Sequence, residues 1–308
     1  MNPEALLFAG QGSQYVGMMS DLVDAFPAAQ ERLQRADDIL GFALSDICFN
    51  GPEERLKETR YTQPALFVHE AILVDLLRDR LNFSAVAGHS LGEYSALYAA
   101  GVLNFEAALK LVQLRGDLMF RAGEDAPGTM LAVLGLPDEQ VISLCEELQD
   151  GEHVIVAANF NAPGQVVVSG SADYLRDKQE KFKEAGARRV MEVKVSGAFH
   201  SPLMESARQT LAAAIGNVAF NDAAVDVYCN SRAAALRSAA DLREALVEQL
   251  VSPVLWTQSL NAMHAAGIRS FVEIGPGKIL QGMLKRTLTD VEISGVDTAE
   301  QLNSFRQA

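Results

Sequence analysis

The pentapeptide Gly88-His89-Ser90-Leu91-Gly92 is the first place along the chain where residue type and spacing could do chemistry. A serine with glycines two residues to either side fits a sharp strand-to-helix turn that pushes its hydroxyl into the open. Alone, the pattern also fits a plain connecting turn, so context decides. Ser84–His89 is short, apolar and strand-like, and Glu93–Ala100 follows with a helical pattern. The backbone N–H of Leu91 then lies at a helix start, facing a reacting carbonyl oxygen. A serine needs a base. Among the five histidines, His69 and His264 fall inside helical patterns and His153 opens a strand. His89 adjoins the serine, but such a turn directs its side chain away from Ser90. His200 is the best placed: it lies in the loop Ser196-Gly197-Ala198-Phe199-His200-Ser201-Pro202, just past a strand, where α/β folds gather their sites.

The elements that must position these residues can be read in order. Glu4–Ala9 reads as a buried strand ending in the turn Gly10-Gln11-Gly12-Ser13, with helical patterns to about Leu40. Thr62 reads as an N-cap, with Pro64 in the first turn of a helix running to about Arg80. Another helix spans Phe105 to about Arg121, and Gly123–Gly128 reads as a break. Beyond it the pattern gives strand Thr129–Leu136, helix Pro137–Gln149, strands His153–Asn159 and Gln165–Ser169, helix Ser171–Ala185 and strand Ala187–Val195. That β-α-β-β-α-β order is the split pattern of a ferredoxin-like unit. Strands Val225–Cys229 and Arg269–Ile274, with helices Asp241–Val251, Pro253–Ala266 and Lys278–Arg286, resume the alternation. The expected fold is α/β. A large α/β-hydrolase-like domain with a parallel sheet, residues 1–124 and 196–308, is interrupted by a small ferredoxin-like insert, residues 125–195.

A net charge of −14 argues against nucleic acid as the main partner. The stretch Arg176–Lys194 runs against that trend, with basic residues at Arg176, Lys178, Lys181, Lys183, Arg188, Arg189 and Lys194. It reads either as a solvated helix face with internal ion pairs or as a patch for an anionic partner. Cys48, Cys145 and Cys229 are far apart and form no CxxC pair, which argues against a zinc site or a disulfide framework. The first basic residue is Arg32, no stretch reaches the ~20 apolar residues of a membrane span, and the chain reads as cytoplasmic.

Four motifs occur in register: Gly10-Gln11-Gly12-Ser13-Gln14, Gly88-His89-Ser90-Leu91-Gly92-Glu93, Gly197-Ala198-Phe199-His200-Ser201 and Glu273-Ile274-Gly275-Pro276-Gly277. Through them nearly the whole chain resembles the malonyl-CoA:acyl carrier protein transacylases of bacterial fatty acid synthesis. The resemblance implies Ser90 as nucleophile, His200 as general base, and the N–H groups of Gln11 and Leu91 as an oxyanion hole. Arg115 then matches the arginine that holds the malonyl carboxylate, and Gln249 the position that orients the histidine with an oxygen acceptor. Gln63 matches a pocket residue, Asn159 and Asn161 fall in the small subdomain's part of the cleft, and His89 and Phe199 border the acyl group. A planar guanidinium suits a free carboxylate. Phe199 would narrow the space for a substituent on the acyl C2. Coenzyme A thioesters and acyl carrier protein are the implied partners. No metal or other cofactor is implied, and a monomer is expected. The same motifs would serve a discrete acyltransferase of a polyketide assembly line. A serine thioesterase shares the acyl-enzyme chemistry but usually keeps its histidine near the chain end, whereas the last histidine here, His264, lies in a helical pattern.

Overall fold

The computed structural model describes residues 4–78 and 82–305. In chain order its strands are β1 (Glu4–Phe8), β2 (Ala85–Gly88), β3 (Gly128–Leu134), β4 (Ile155–Ala162), β5 (Gln165–Ser171), β6 (Arg189–Val193), β7 (Asp226–Tyr228), β8 (Ala235–Leu236), β9 (Ser270–Ile274) and β10 (Glu292–Val296). Six of them form one sheet in the order β10-β9-β1-β2-β7-β8, parallel except where β8 returns against β7. β1 and β2 are almost continuously apolar because both faces of a parallel sheet are covered. Leu6 and Phe8 enter one apolar cluster, while Ala5 and Leu7, pointing the other way, enter a second around Trp256 and Leu260. Their carboxyl ends carry the Gly10–Gln14 loop and the Ser90 turn side by side.

β3 to β6 form a second, antiparallel sheet in the order β4-β5-β3-β6. Its own apolar cluster gathers Leu131, Val133, Val168, Leu175 and Phe182. The two sheets are tied together where β4 meets the segment before helix Trp256–Ala265. Phe160 N–H donates to Val254 O at 2.9 Å, Val254 N–H donates to Ala158 O at 2.8 Å, and the Thr257 hydroxyl donates to Phe160 O at 3.1 Å.

Several boundaries differ from the sequence reading for identifiable reasons. The helix expected from Thr62 begins at Thr59 and runs to Leu77. Thr62 does not cap it; its hydroxyl donates to Leu56 O at 2.6 Å, and Pro64 lies inside the helix. The expected end at Arg80 lies outside the described residues. The break expected from Gly123 falls later, because helix Phe105–Asp125 continues through that glycine. A Cβ there would lie 1.7 Å from Ser196 O, so the glycine serves close packing rather than a turn. The expected helix Ser171–Ala185 is two short ones, Ala172–Asp177 and Gln179–Glu184, divided at Lys178 where ψ is near zero. The basic stretch is largely self-paired: Arg176 with Asp173 and Glu192, Lys178 with Asp177, Lys181 with Glu184, and Lys183 with Glu180. All three cysteines are buried and free.

Candidate active site

Ser90 follows β2 at the expected turn and has φ of 53°, in the left-handed region. That conformation costs a non-glycine residue about 1–2 kcal/mol, and such strain is concentrated at functional sites. The flanking glycines are required by contact. A Cβ on Gly88 would lie 1.8 Å from the Gly92 carbonyl carbon, and one on Gly92 would lie 2.1 Å from Phe8 O. Removing both side chains lets helix Gly92–Ala99 start hard against β1 and β2.

His200, also at positive φ (57°), brings its Nε2 to 2.8 Å from Ser90 Oγ. Its Nδ1 is 2.9 Å from the backbone oxygen of Gln249. A carbonyl can only accept, so Nδ1 carries the proton and Nε2 is free to take one from the serine. The orienting acceptor at Gln249 is thus main chain, not side chain. The Gln249 side chain instead donates to Ser90 O at 2.7 Å and accepts from Arg115 Nη2 at 3.1 Å. Burial first, then the charge of Arg115, lowers the His200 pKa to about 3, so the ring is neutral at ordinary pH.

Arg115 reaches this point from helix Phe105–Asp125 and is fully buried. Its Nη1 donates to Gln63 Oε1 at 2.8 Å, and Nη2 donates to Ser90 Oγ at 3.0 Å as well as to Gln249. Tyr94 lies beneath the guanidinium, 5.6 Å away. Every direct acceptor is neutral. A buried cation without a paired anion is costly, and this one is aimed at the serine oxygen. Gly116 lets the helix carrying Arg115 approach helix Thr59–Leu77, which carries Gln63; a Cβ there would be 3.0 Å from Arg60 Cα.

Every residue given a catalytic or binding role by the resemblance, except Gln249, lines a single cleft of about 160 Å³, and Gln249 stands immediately behind it. Among the described residues, neither Leu91 N–H nor Gln11 N–H has an acceptor in the chain. The Gln11 side chain is held by Thr59 Oγ1 at 3.3 Å. His89 turns to Asn161, with Nε2 and Oδ1 2.8 Å apart, and packs edge-to-face with Trp256, the ring centroids 5.5 Å apart. Asn159, at the bulge in β4, is buried where the second sheet pairs with Val254. Phe199 joins Met130, Val167 and Val193 on the apolar wall. The remaining histidines lie elsewhere: His69 is buried against Asp297, His153 pairs with Asp150, and His264 is in the last turn of its helix. No cluster of three or more His, Cys, Asp or Glu among the described residues is arranged to hold a metal.

Two residues at the turn were not assigned a role from the sequence. Asn230 Oδ1 accepts from Ser90 N–H at 2.7 Å, and its own N–H donates to Glu93 Oε2 at 2.8 Å. Glu93 is buried. Burial raises its pKa to about 7 against the pull of Asn230 N–H, the Gln249 amide and Arg115. The one available signal was position, since Asn230 lies just beyond the carboxyl end of a parallel strand.

A serine strained at the crest of a parallel sheet, with a neutral imidazole on its hydroxyl, is equipped to carry an acyl group as an ester. The chain belongs to the acyl transferase domain family, whose model matches residues 5–306. It is 39% identical over its full length to a malonyl CoA-acyl carrier protein transacylase of Haemophilus influenzae, covering 99% of that protein. An acyl carrier protein S-malonyltransferase of Vibrio cholerae superposes with a TM-score of 0.93 at 38% identity, over 98% of this chain and 99% of that one. A malonyl-transacylase solved in complex with a type II polyketide synthase acyl-carrier protein gives a TM-score of 0.95 at 36% identity, over 99% of each chain. Among the described residues no helix is long and apolar enough to cross a membrane.

Proposed function

We propose that this chain transfers a malonyl group from malonyl-CoA to the phosphopantetheine thiol of acyl carrier protein, through an ester on Ser90. The observation that carries the reading is the fully buried Arg115, 3.0 Å from Ser90 Oγ and bonded only to neutral acceptors. A guanidinium in that position favours an acyl group that brings its own carboxylate. His200 takes the Ser90 proton as Oγ attacks the thioester carbon. The N–H groups of Gln11 and Leu91 receive the negative oxygen, and collapse expels the coenzyme A thiolate, which takes the proton back from His200. The carrier thiol then attacks the ester in the reverse sense and restores Ser90. Gln249 orients His200 through its carbonyl oxygen, and Gln63 steadies Arg115. Asn159, Asn161, His89 and Phe199 bound the acyl pocket. Each group the chemistry calls on belongs to the chain, and no cofactor is invoked.

The proposed domains are an α/β-hydrolase-like body, residues 1–124 and 196–308, and a ferredoxin-like insert, residues 125–195; the split β-α-β-β-α-β connectivity of the second sheet supports this division. A cytoplasmic, monomeric enzyme supplying malonyl units to fatty acid elongation completes the reading. The polyketide-associated relative keeps a second carrier in view. Intact mass decides among acyl donors and carriers: malonyl-CoA should add one malonyl group to the wild-type chain and none to Ser90→Ala, and carrier should discharge it. Covalent label retained on Ser90→Ala would remove this serine as the nucleophile. Transfer to a polyketide carrier but not to a fatty acid carrier would reassign the pathway.

A further inference from the structure

Ser90 is held in its left-handed conformation from several sides: Gln249 and the Glu93 N–H bind its carbonyl oxygen, and Asn230 binds its N–H. Asn230 lies two residues beyond β7, the strand next to β2, and is wholly buried. Its Oδ1 accepts from Ser90 N–H at 2.7 Å, while its Nδ2 donates to Gly88 O at 2.6 Å. One side-chain amide therefore grips the turn on both sides of His89. Asn230 is itself anchored twice: its N–H donates to the Glu93 carboxylate at 2.8 Å, and its O accepts from Leu255 N–H at 3.0 Å. Glu93 stands on the first turn of the helix that the elbow opens, so the brace closes a ring from β2 through the serine to that helix and back through the end of β7.

The brace has a second consequence. With Ser90 N–H tied back to Asn230, that donor is turned away from the reacting oxygen. Among the described residues, the adjacent Leu91 N–H is left without an acceptor. The two neighbouring amides are thereby given different tasks.

We propose that Asn230, anchored by Glu93, is a positioning residue for acyl transfer, fixing the Ser90 turn so that Oγ meets His200 while Leu91 N–H alone of this pair faces the oxyanion. The inference rests on the functional reading above. An amide is needed because one group must accept and one must donate; a carboxylate would face the Gly88 carbonyl with no proton, and a methyl would leave both main-chain groups unpaired.

Rapid-quench acylation of the full chain by malonyl-CoA tests it. Asn230→Ala should slow the acylation rate constant on the order of 100-fold, the scale of a misplacement of about 1 Å. The malonyl-CoA concentration for half saturation should stay within about twofold, since Arg115 and Gln63 are untouched. Acylation within about threefold of wild type would overturn the assignment, as would a rise in the half-saturation concentration that accounts for the whole loss. If Asn230→Ala does not fold, the anchor decides. Glu93→Gln keeps an oxygen for Asn230 N–H and should acylate at least about tenfold faster than Glu93→Ala, a difference of about 1.4 kcal/mol in the barrier; equal rates in the two variants would sink the proposal. A wild-type chain that takes no label on Ser90 fails the functional reading itself, whereas a labelled wild type with indifferent variants fails only this inference.

Discussion

The Ser90 oxygen lies between the His200 imidazole, 2.8 Å away, and the Arg115 guanidinium, 3.0 Å away. The two neighbours are also coupled, because Arg115 is one reason the His200 ring resists protonation. With a pKa of about 3 in the fold, His200 should remain neutral from pH 7 to below pH 5, and Arg115→Ala should move its midpoint upward. Ring nitrogen shifts in NMR read this directly, and a wild-type midpoint near 6.5 would contradict it. Arg115→Ala should also cost malonyl-CoA about 10- to 100-fold in kcat/KM, the range of a lost charge-assisted pair. Acetyl-CoA, which has no carboxylate to present, should be affected far less. Parallel steady-state assays give the ratio, and an unchanged malonyl-to-acetyl preference would remove Arg115 from the carboxylate role.

Secondary-structure elements meet at this site through glycines, which makes their spacing testable. Gly123 lets helix Phe105–Asp125 touch the Ser196 carbonyl at the start of the loop that carries His200, and the Ser196 hydroxyl lies 3.0 Å from Thr59 Oγ1. Gly123→Ala should destabilise by about 1–3 kcal/mol, as overpacking does, and slow acylation by shifting that loop. Gly282, inside helix Ile279–Thr287, faces open space, so Gly282→Ala should stabilise by about 0.5–1 kcal/mol. Urea unfolding separates the two, and like effects would show that contact is not what distinguishes them. The same elements show what the sequence could tell. Strands β1, β2 and β9 and the Ser90 elbow were legible because a buried parallel strand is a run of apolar residues and its turn needs glycine locally. Gly123 was misread because a helix interior and a break use the same residue, and only the distant Ser196 distinguishes them. Thr62 and Pro64 looked like a helix start for the same reason: the Leu56 carbonyl that claims the Thr62 hydroxyl is invisible to a local reading. Resemblance assigned Gln249 its place, but not that its main chain serves His200 while its side chain serves Ser90 and Arg115. Asn230 carried no motif at all, and its part follows only from β7 lying beside β2.

Over the whole molecule, burial of titratable side chains sets opposing pH dependences that can be worked out in sign. His69, His89 and His200 are buried with pKa values lowered from 6.5. Below that value the unfolded chain binds protons that the fold refuses, so these three remove stability as the pH falls. Glu93 and Glu70 act the other way. Burial raises both above 4.5, Glu93 to about 7 and Glu70 well above its usual value. Their contribution is present below pH 4.5 and is lost as the pH rises through the folded values. Between about pH 4.5 and 6.5 the two sets oppose one another, each proton being worth about 1.4 kcal/mol per pH unit. Below pH 4.5 only the histidines act, joined by carboxylates whose pKa values are lowered, such as Glu205 at about 2, so stability should fall steeply. Above pH 6.5 the histidines are silent and the buried carboxylates act without opposition, giving a shallow decline. Urea midpoints from pH 4 to 9 should therefore trace a lopsided dome, broad between about pH 5 and 7 and steeper on the acid side, and Glu70→Gln should flatten its alkaline limb. A midpoint that climbs steadily from pH 6 to 9 would mean that these carboxylates are charged and paired in the fold.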